Sequence, residues 1–385
     1  MTIRKKLTKS VLIIFCFLFI FSSCSVPSDI KTPAFIVVLN KNRVDVINTQ
    51  NNEVFDDLFT EEKPSSVAIS PDEKLILVTN SGSGTVSAFF KKPNDTFQKL
   101  NSVGSGKNPQ GIVFNPVFPE AYVAYEGDGK ILVLDVTNTN ISPTIITSID
   151  IKGSTPKKMV TNKDGTKLFI TDSANGKLLV FTKTKNELIK KTEEISLIEN
   201  LKDDVSNPTF FDGIAITKNE KIYISDYARD NILIVDTKKI NEKQQVINLR
   251  DTYKSNLKED QQMGPRNITV YRTLSGKEKV FVACYNSSVV SSIDVETNKV
   301  INIPLTGSTG FQGNTGRDSY NPVGITVANF NGKDFIYVTN TSGLPLSMID
   351  PETNRLQRNI SIYDSRQEPY GEIVSCCSKS IEIKR

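Results

Sequence analysis

Apolar residues along this chain come in short runs, each closed by a turn rich in Asn, Asp, Gly and Ser, and the runs form a repeated phrase. The phrase opens on a Pro, continues as a short apolar strand, and is followed by a second strand that ends in a polar turn. One clear copy begins Asn321-Pro322-Val323-Gly324-Ile325-Thr326-Val327 and continues as Phe335-Ile336-Tyr337-Val338-Thr339-Asn340. Others are led by Pro64 (then Leu75 to Asn80), Pro109 (then Ala121 to Tyr125), Pro156 (then Leu168 to Asp172) and Pro265 (then Val280 to Cys284). In a further copy Phe211 stands in place of the Pro, ahead of Ile214-Ala215-Ile216 and then Ile222 to Asp226. The period is about 45–57 residues, the range of sheet-repeat arrays.

Each copy adds a third strand with period-two alternation, such as Ile131-Leu132-Val133-Leu134-Asp135 or Ile232-Leu233-Ile234-Val235-Asp236. A polar fourth strand follows, such as Lys299-Val300-Ile301-Asn302-Ile303. Short β-branched segments divided by turn residues predict a four-stranded antiparallel sheet. No long stretch of helical periodicity interrupts them. One such sheet cannot bury both faces alone, and radial stacking covers both, which is the propeller solution. Residues 34–59 read as strands two to four of a repeat that lacks its first strand. Pro369-Tyr370-Gly371-Glu372-Ile373-Val374 offers that strand. Joining the two predicts a closed all-β, seven-bladed β-propeller with no free sheet edge at its seam. Glu372 falls where other copies place Ile or Val.

The chain resembles the YVTN-type seven-bladed β-propeller family, related to lactonase-like and quinoprotein-like propellers. The Pro322 copy carries the family tetrapeptide as Tyr337-Val338-Thr339-Asn340. The likeness spans about residues 34–377 and rests on repeat residues, so it implies a fold rather than an activity.

Ahead of the repeats, Arg4, Lys5, Lys6 and Lys9 precede an apolar segment from Val11 to Phe21, too short for a comfortable membrane span. It ends in Phe21-Ser22-Ser23-Cys24, which resembles a bacterial lipobox with Phe21 in place of the usual Leu. Residues 1–23 are therefore expected to be a lipoprotein signal peptide and Cys24 the lipidated mature N-terminus. Residues 24–33 would be the tether and 34–385 a single propeller domain. By resemblance to sorting rules of diderm envelopes, Ser25 after the Cys implies the outer membrane. The formal charge of +4 is carried by the four basic residues of the signal. The mature chain is formally neutral, whereas nucleic-acid binders show a basic excess.

The chain has no His. This removes the commonest general base and metal ligand, and with it Ser–His–Asp hydrolysis and His-ligated haem or zinc. Neither a phosphate loop of the Walker type nor a linear EF-hand pattern occurs, and no metal or cofactor is expected. Cys284, Cys376 and Cys377 read as small buried residues rather than a disulfide framework, because adjacent cysteines rarely meet disulfide geometry. Asn80, Asp172, Asp226, Asn286 and Asn340 recur after second strands and read as turn residues bonded to backbone.

Ligand sites in propellers lie at the mouth of the central channel, where the innermost strands begin. The residues just after each blade leader should ring that mouth: Ser65, Gln110, Lys157, Asp212, Arg266, Val323 and Tyr370. They vary while their apolar neighbours do not, and two cations, an acid and a Tyr suit an anionic or polar ligand. Three long connections, about residues 197–210, 250–264 and 306–321, should rise from the same face. The last is Gly-rich and carries Phe311, Arg317 and Tyr320. The function expected first is a non-enzymatic, lipid-anchored binding or scaffold protein of the cell envelope, whose partner is another protein or a glycan. Two others stand beside it: a lactonase-like hydrolase using Asp212 and Arg266 together with Arg317, and an outer-membrane protein assembly factor by analogy with a propeller lipoprotein of the barrel-assembly machinery.

Overall fold

The computed structural model describes residues 33–38, 41–198, 209–240, 242–258, 261–305, 320–342, 346–361 and 370–375. Their strands form seven four-stranded antiparallel sheets, the blades. Blades 1 to 6 begin with the inner strands Pro64–Ile69, Pro109–Phe114, Pro156–Thr161, Phe211–Ile216, Pro265–Arg272 and Pro322–Phe330. Blade 7 begins with Tyr370–Ser375. Each inner strand lies against the inner strand of the next blade, and Tyr370–Ser375 lies against both Pro322–Phe330 and Pro64–Ile69, so the ring closes.

Period-two alternation builds the core. In the second strand of blade 3, Leu168 and Ile170 face blade 2 and pack with Tyr122 and Val133. Phe169, between them, faces blade 4 and packs with Ile222 and Leu233. The same division gives one apolar cluster at every interface around the ring. Each fully buried aliphatic or aromatic side chain there contributes about 1.5–3 kcal/mol. The outer strands are polar because they lie at the solvent-exposed margin of the blades, as in Lys190–Ser196 of blade 3, whose first five residues are exposed.

Blade 7 takes strands two to four from the start of the repeats, Pro33–Val38, Arg43–Asn48 and Glu53–Phe59. Its inner strand pairs Tyr370 with Val38 and Ile373 with Ile36. Blade 6 shows the same three-against-two offset, pairing Pro322 with Asn340 and Ile325 with Val338. The register therefore corrects the sequence alignment by one residue. By pairing, Tyr370 and not Pro369 is the leader of blade 7, at the register position Phe211 holds in blade 4. Gly371 holds the position after the leader, and Gly371 and Glu372 fall within the offset. Ile373 supplies the core residue, packed with Ile36 and Met348.

Blades 2 and 3 are also joined by charge. Lys183 Nζ lies 2.6 Å from Glu120 Oε1, with both side chains buried. Glu120 Oε2 accepts a 2.8 Å hydrogen bond from Tyr122, whose phenol is held protonated mainly by burial. Removing one partner of a buried pair strands the other charge. Lys183→Met is therefore expected to cost about 3–5 kcal/mol, with much of the loss recovered in the double variant that adds Glu120→Gln. Urea unfolding midpoints of the two variants check this.

Candidate functional site

Every blade with a described second-strand partner has a bulge directly after its leader. Pro64 pairs with Asn80 and Ser66 with Thr79, which leaves Ser65 unopposed. Gln110 and Asp212 are left over in the same way in blades 2 and 4. In blades 3, 5 and 6 the irregularity takes in Lys157-Lys158, Arg266-Asn267 and Val323-Gly324. A bulge releases its residue from the alternation of the pleat and re-aims the side chain. Some of the N–H groups it frees go to second-strand hydroxyls: Lys158 N donates to Thr171 Oγ1 at 3.0 Å, and Gly324 N to Thr339 Oγ1 at 2.9 Å. Adjacent inner strands then approach to backbone contact. A Cβ on Gly111 would lie 2.1 Å from the Lys157 carbonyl oxygen, and one on Gly213 would lie 2.3 Å from that of Arg266. Glycine at these two places lets bulge residues of neighbouring blades meet at one rim of the ring.

Lys157, Asp212 and Arg266, from blades 3, 4 and 5, meet there. Lys157 Nζ is 2.8 Å from Asp212 Oδ1, and Arg266 Nε is 3.6 Å from Asp212 Oδ2. Burial by itself would raise the Asp212 carboxyl. The charges of Lys157, Arg266 and Lys158 outweigh it and hold the group below its ordinary value. Glu126 of blade 2 feels the same cluster and goes the other way: burial, reinforced by the charge of Asp212, raises it despite Lys157 and Lys158. Its Oε2 accepts from Asn108 Nδ2 at 2.7 Å, and Asn108 Oδ1 in turn accepts from Gln110 Nε2 at 2.7 Å.

Three aromatic rings flank the charges. Lys157 Nζ sits 3.7 Å from the ring centre of Phe210, and the Arg266 guanidinium carbon lies 4.5 Å from that of Tyr285 and 5.3 Å from that of Tyr227. Phe210 and Tyr227 touch edge to face with centroids 5.7 Å apart. Tyr227 is fixed through its hydroxyl, 3.2 Å from Asn286 Oδ1. Gly264 (φ +66°) makes room for both, since a Cβ there would meet Asn286 at 2.6 Å and Tyr227 at 3.0 Å. Arg266 Nε is buried without a hydrogen-bond partner among the described residues, yet the side chain remains 29% exposed.

The other residues expected at the mouth have different surroundings. Ser65 donates to the Pro109 carbonyl at 2.7 Å and stitches blade 1 to blade 2. Val323 is buried. Tyr370 occupies the leader position, as its register requires. Tyr320 packs against the apolar cluster between blades 5 and 6, and its hydroxyl accepts from Asn359 Nδ2 at 3.1 Å. Phe311, Arg317, Cys24, Cys376 and Cys377 lie outside the described residues. Cys284 is buried, with its thiol pushed up to about 12 chiefly by burial.

The turn after strand two is closed differently from expectation. In six blades the residue that leaves strand two donates its backbone N–H to the carbonyl of the residue before the leader: Ser81 to Lys63, Glu126 to Asn108, Ser173 to Thr155, Tyr227 to Phe210, Tyr285 to Gly264 and Thr341 to Asn321. Backbone makes the common bond, so the side chains at both positions are free to vary. Asn80 and Asn340 use their amides across the sheet, on Ser87 and Ser347, each at 2.9 Å. Asp172 and Asp226 do bond backbone, Asp172 accepting from Thr155 N at 2.9 Å and Asp226 from the backbone of Phe210 and Ala228. Asn286 lies two residues past this position, because Cys284 is the residue paired with Pro265. Glu126, Tyr227, Tyr285 and Phe210 escaped the sequence reading. All four sit at the two variable positions of this backbone bond, and that shared repeat position was the signal that could have found them.

Among the described residues, no three His, Cys, Asp or Glu side chains gather as metal ligands would. No protein-family model matches the chain, nor does any curated protein sequence. Solved structures do. A putative 6-phosphogluconolactonase from Bacteroides fragilis superposes with a TM-score of 0.65 at 15% identity, over 91% of this chain and 99% of its own. A functionally unknown protein from Desulfotomaculum acetoxidans gives 0.63 at 13% identity, over 89% and 98%. Apo AztD from Citrobacter koseri gives 0.61 at 15% identity, over 91% and 100%. At these identities the likeness is one of fold: a seven-bladed β-propeller whose structural neighbours include lactonase-like and AztD proteins.

Proposed function

We propose that this chain is a lipid-anchored binding protein of the cell envelope that holds a ligand at the channel mouth without transforming it. The supporting observation is the convergence of Lys157, Asp212 and Arg266 with Phe210, Tyr227 and Tyr285 on one rim. The cluster is built for recognition: cations steadied by rings, and an open guanidinium beside exposed aromatic surface. It is poorly suited to acid–base work. Two cations hold Asp212 ionised and make it a weak base, and the chain has no His to replace it. The YVTN-type repeat remains our reading of Tyr337 to Asn340.

The anchor rests on the Phe21-Ser22-Ser23-Cys24 segment. Among the described residues no helix is long and apolar enough to cross a membrane. Acyl chains on Cys24 would hold the domain at the outer membrane, each buried CH₂ contributing roughly 0.8 kcal/mol. Cys24→Ser is expected to move the protein from the membrane to the soluble fraction of lysed cells, as immunoblots of the two fractions would record. Retention on the membrane would remove the lipid from the proposal.

Capture of a partner or glycan from envelope extracts, lost in Phe210→Ala, tests the binding role. A second reading, a lactonase-like hydrolase, is favoured by the printed name of the Bacteroides fragilis neighbour and by the Asp212–Arg266 pair. Turnover of a lactone panel that disappears in Asp212→Ala would replace the first reading with the second.

A further inference from the structure

The leader of each inner strand pairs with the last residue of strand two, as Pro64 does with Asn80 and Tyr370 with Val38, so both lie at the mouth. The turns from first to second strand and from third to fourth strand therefore lie on the opposite face. Large apolar side chains crown several of them. Leu274, between Pro265–Arg272 and Glu278–Cys284, is 92% exposed, and Val117, between Pro109–Phe114 and Glu120–Tyr125, is 61% exposed. Leu188 and Ile141 stand exposed in third-to-fourth turns of blades 3 and 2.

The backbone of these tips is held while the side chains stay in solvent. Leu274 N donates at 2.8 Å to Glu352 Oε1, from the neighbouring turn of blade 6. The N–H groups of Val117 and Phe118 both go to Asn115 Oδ1, at 3.0 and 2.9 Å, and Pro116 and Pro119 on either side have none to satisfy. A tip whose donors are already bonded loses little on leaving water.

Connectivity names what covers this face. Pro33 begins the second strand of blade 7, so the chain enters the domain from the face opposite the mouth. Eight residues, Ser25 to Thr32, separate Pro33 from Cys24, a reach of about 30 Å at full extension. Turning the mouth to a membrane would take this stretch past Arg43–Asn48 and Glu53–Phe59 and along a blade about 20 Å tall, consuming nearly all of its length. Turning the opposite face to the membrane consumes none.

We propose that the face opposite the mouth rests on the lipid bilayer, with Leu274, Val117, Leu188 and Ile141 entering the headgroup layer, and that the mouth opens away from the membrane; this rests on the anchor at Cys24. The acyl chains supply the hold. The tips fix which side is presented, because interfacial binding scales with the apolar area buried.

The chain has no Trp, so a single introduced one reports alone. The full chain, purified from cells, is reconstituted in vesicles of phosphatidylethanolamine and phosphatidylglycerol with or without bromine on the acyl chains. Leu274→Trp and Val117→Trp are expected to shift their emission to the blue on reconstitution and to lose most of it to bromine. Phe59→Trp, at an exposed position on the mouth end of blade 7, should ignore bromine and be quenched by aqueous iodide. Thermal melts confirm that the variants are folded.

Leu274→Trp and Val117→Trp that ignore bromine, or Phe59→Trp quenched by it as strongly as they are, overturn the proposal. A blue shift that needs added envelope proteins, without quenching by bromine, gives the face to a protein and does the same. The anchor is read separately. If Cys24→Ser leaves the membrane while bromine spares Leu274→Trp in the chain that keeps Cys24, the anchor stands and the face has failed. If Cys24→Ser stays on the membrane and quenching of Leu274→Trp persists in it, the lipid has failed and the face stands.

Discussion

A chain cut before Tyr370 is expected to lose its cooperative thermal transition. The cut removes the inner strand of blade 7 and with it the pairing to Pro33–Val38 and the packing on both neighbouring inner strands. Ile373 leaves the cluster it shares with Ile36, Ala328 and Met348. The exposed edge of Pro33–Val38 then becomes a template for pairing with other chains. The loss is expected to exceed about 5 kcal/mol, comparable with the whole stability of an ordinary domain, so aggregation on heating accompanies it. Moving Tyr370–Ser375 to precede Pro33 through a short linker keeps every contact and should restore the transition. A truncated chain that melts like the parent would show that six blades suffice.

Asp212→Asn is the second large effect. It leaves Lys157 in its buried place without a counter-charge and removes the ion pair of Arg266, for an expected loss of about 3–5 kcal/mol at neutral pH. The pH dependence has a definite sign. The folded-state value of Asp212 lies below its unfolded value, so the folded state binds fewer protons. Its contribution is present above the ordinary carboxylate range and fades as pH falls through the folded value. The difference between parent and variant should therefore shrink in acid, as urea midpoints from neutral pH downward would show. Asp45 works the opposite way. Burial, only partly offset by Arg43, raises it to about 6. Its share of the stability is largest in acid and declines as pH rises from about 4 toward 6. Neutral midpoints that match between parent and Asp212→Asn would mean the cluster carries little stability.

The fold was legible because its determinants are local and repeated. Alternation, turn residues and a leading Pro state the same sheet again and again. The one error of register came from Pro369, which imitates a leader one residue early. Only the pairing of Tyr370 with Val38 and Ile373 with Ile36 distinguishes it from the true one. That information lies in a contact across the length of the chain, beyond what a local pattern carries. The candidate site was half legible. Lys157, Asp212 and Arg266 stood out as residues that break the repeat. Phe210, Tyr227 and Tyr285 did not, because their reach depends on how close neighbouring blades stand, which Gly111, Gly213 and Gly264 set. Ser65 and Tyr320 looked equally available in sequence and are taken up by hydrogen bonds between strands and blades.

The seam in blade 7 also sets the order in which the molecule can be finished during synthesis. Blades 1 to 6 are continuous stretches of chain and can form as each emerges. Pro33–Val38 is made first and must wait for Tyr370–Ser375, made hundreds of residues later. Loop-closure entropy grows only with the logarithm of length, so closing this distance costs about 3 kcal/mol more than closing a short hairpin. The seam is cheap to close yet impossible to close early. An interrupted nascent chain would carry an open edge that chaperones and proteases can detect.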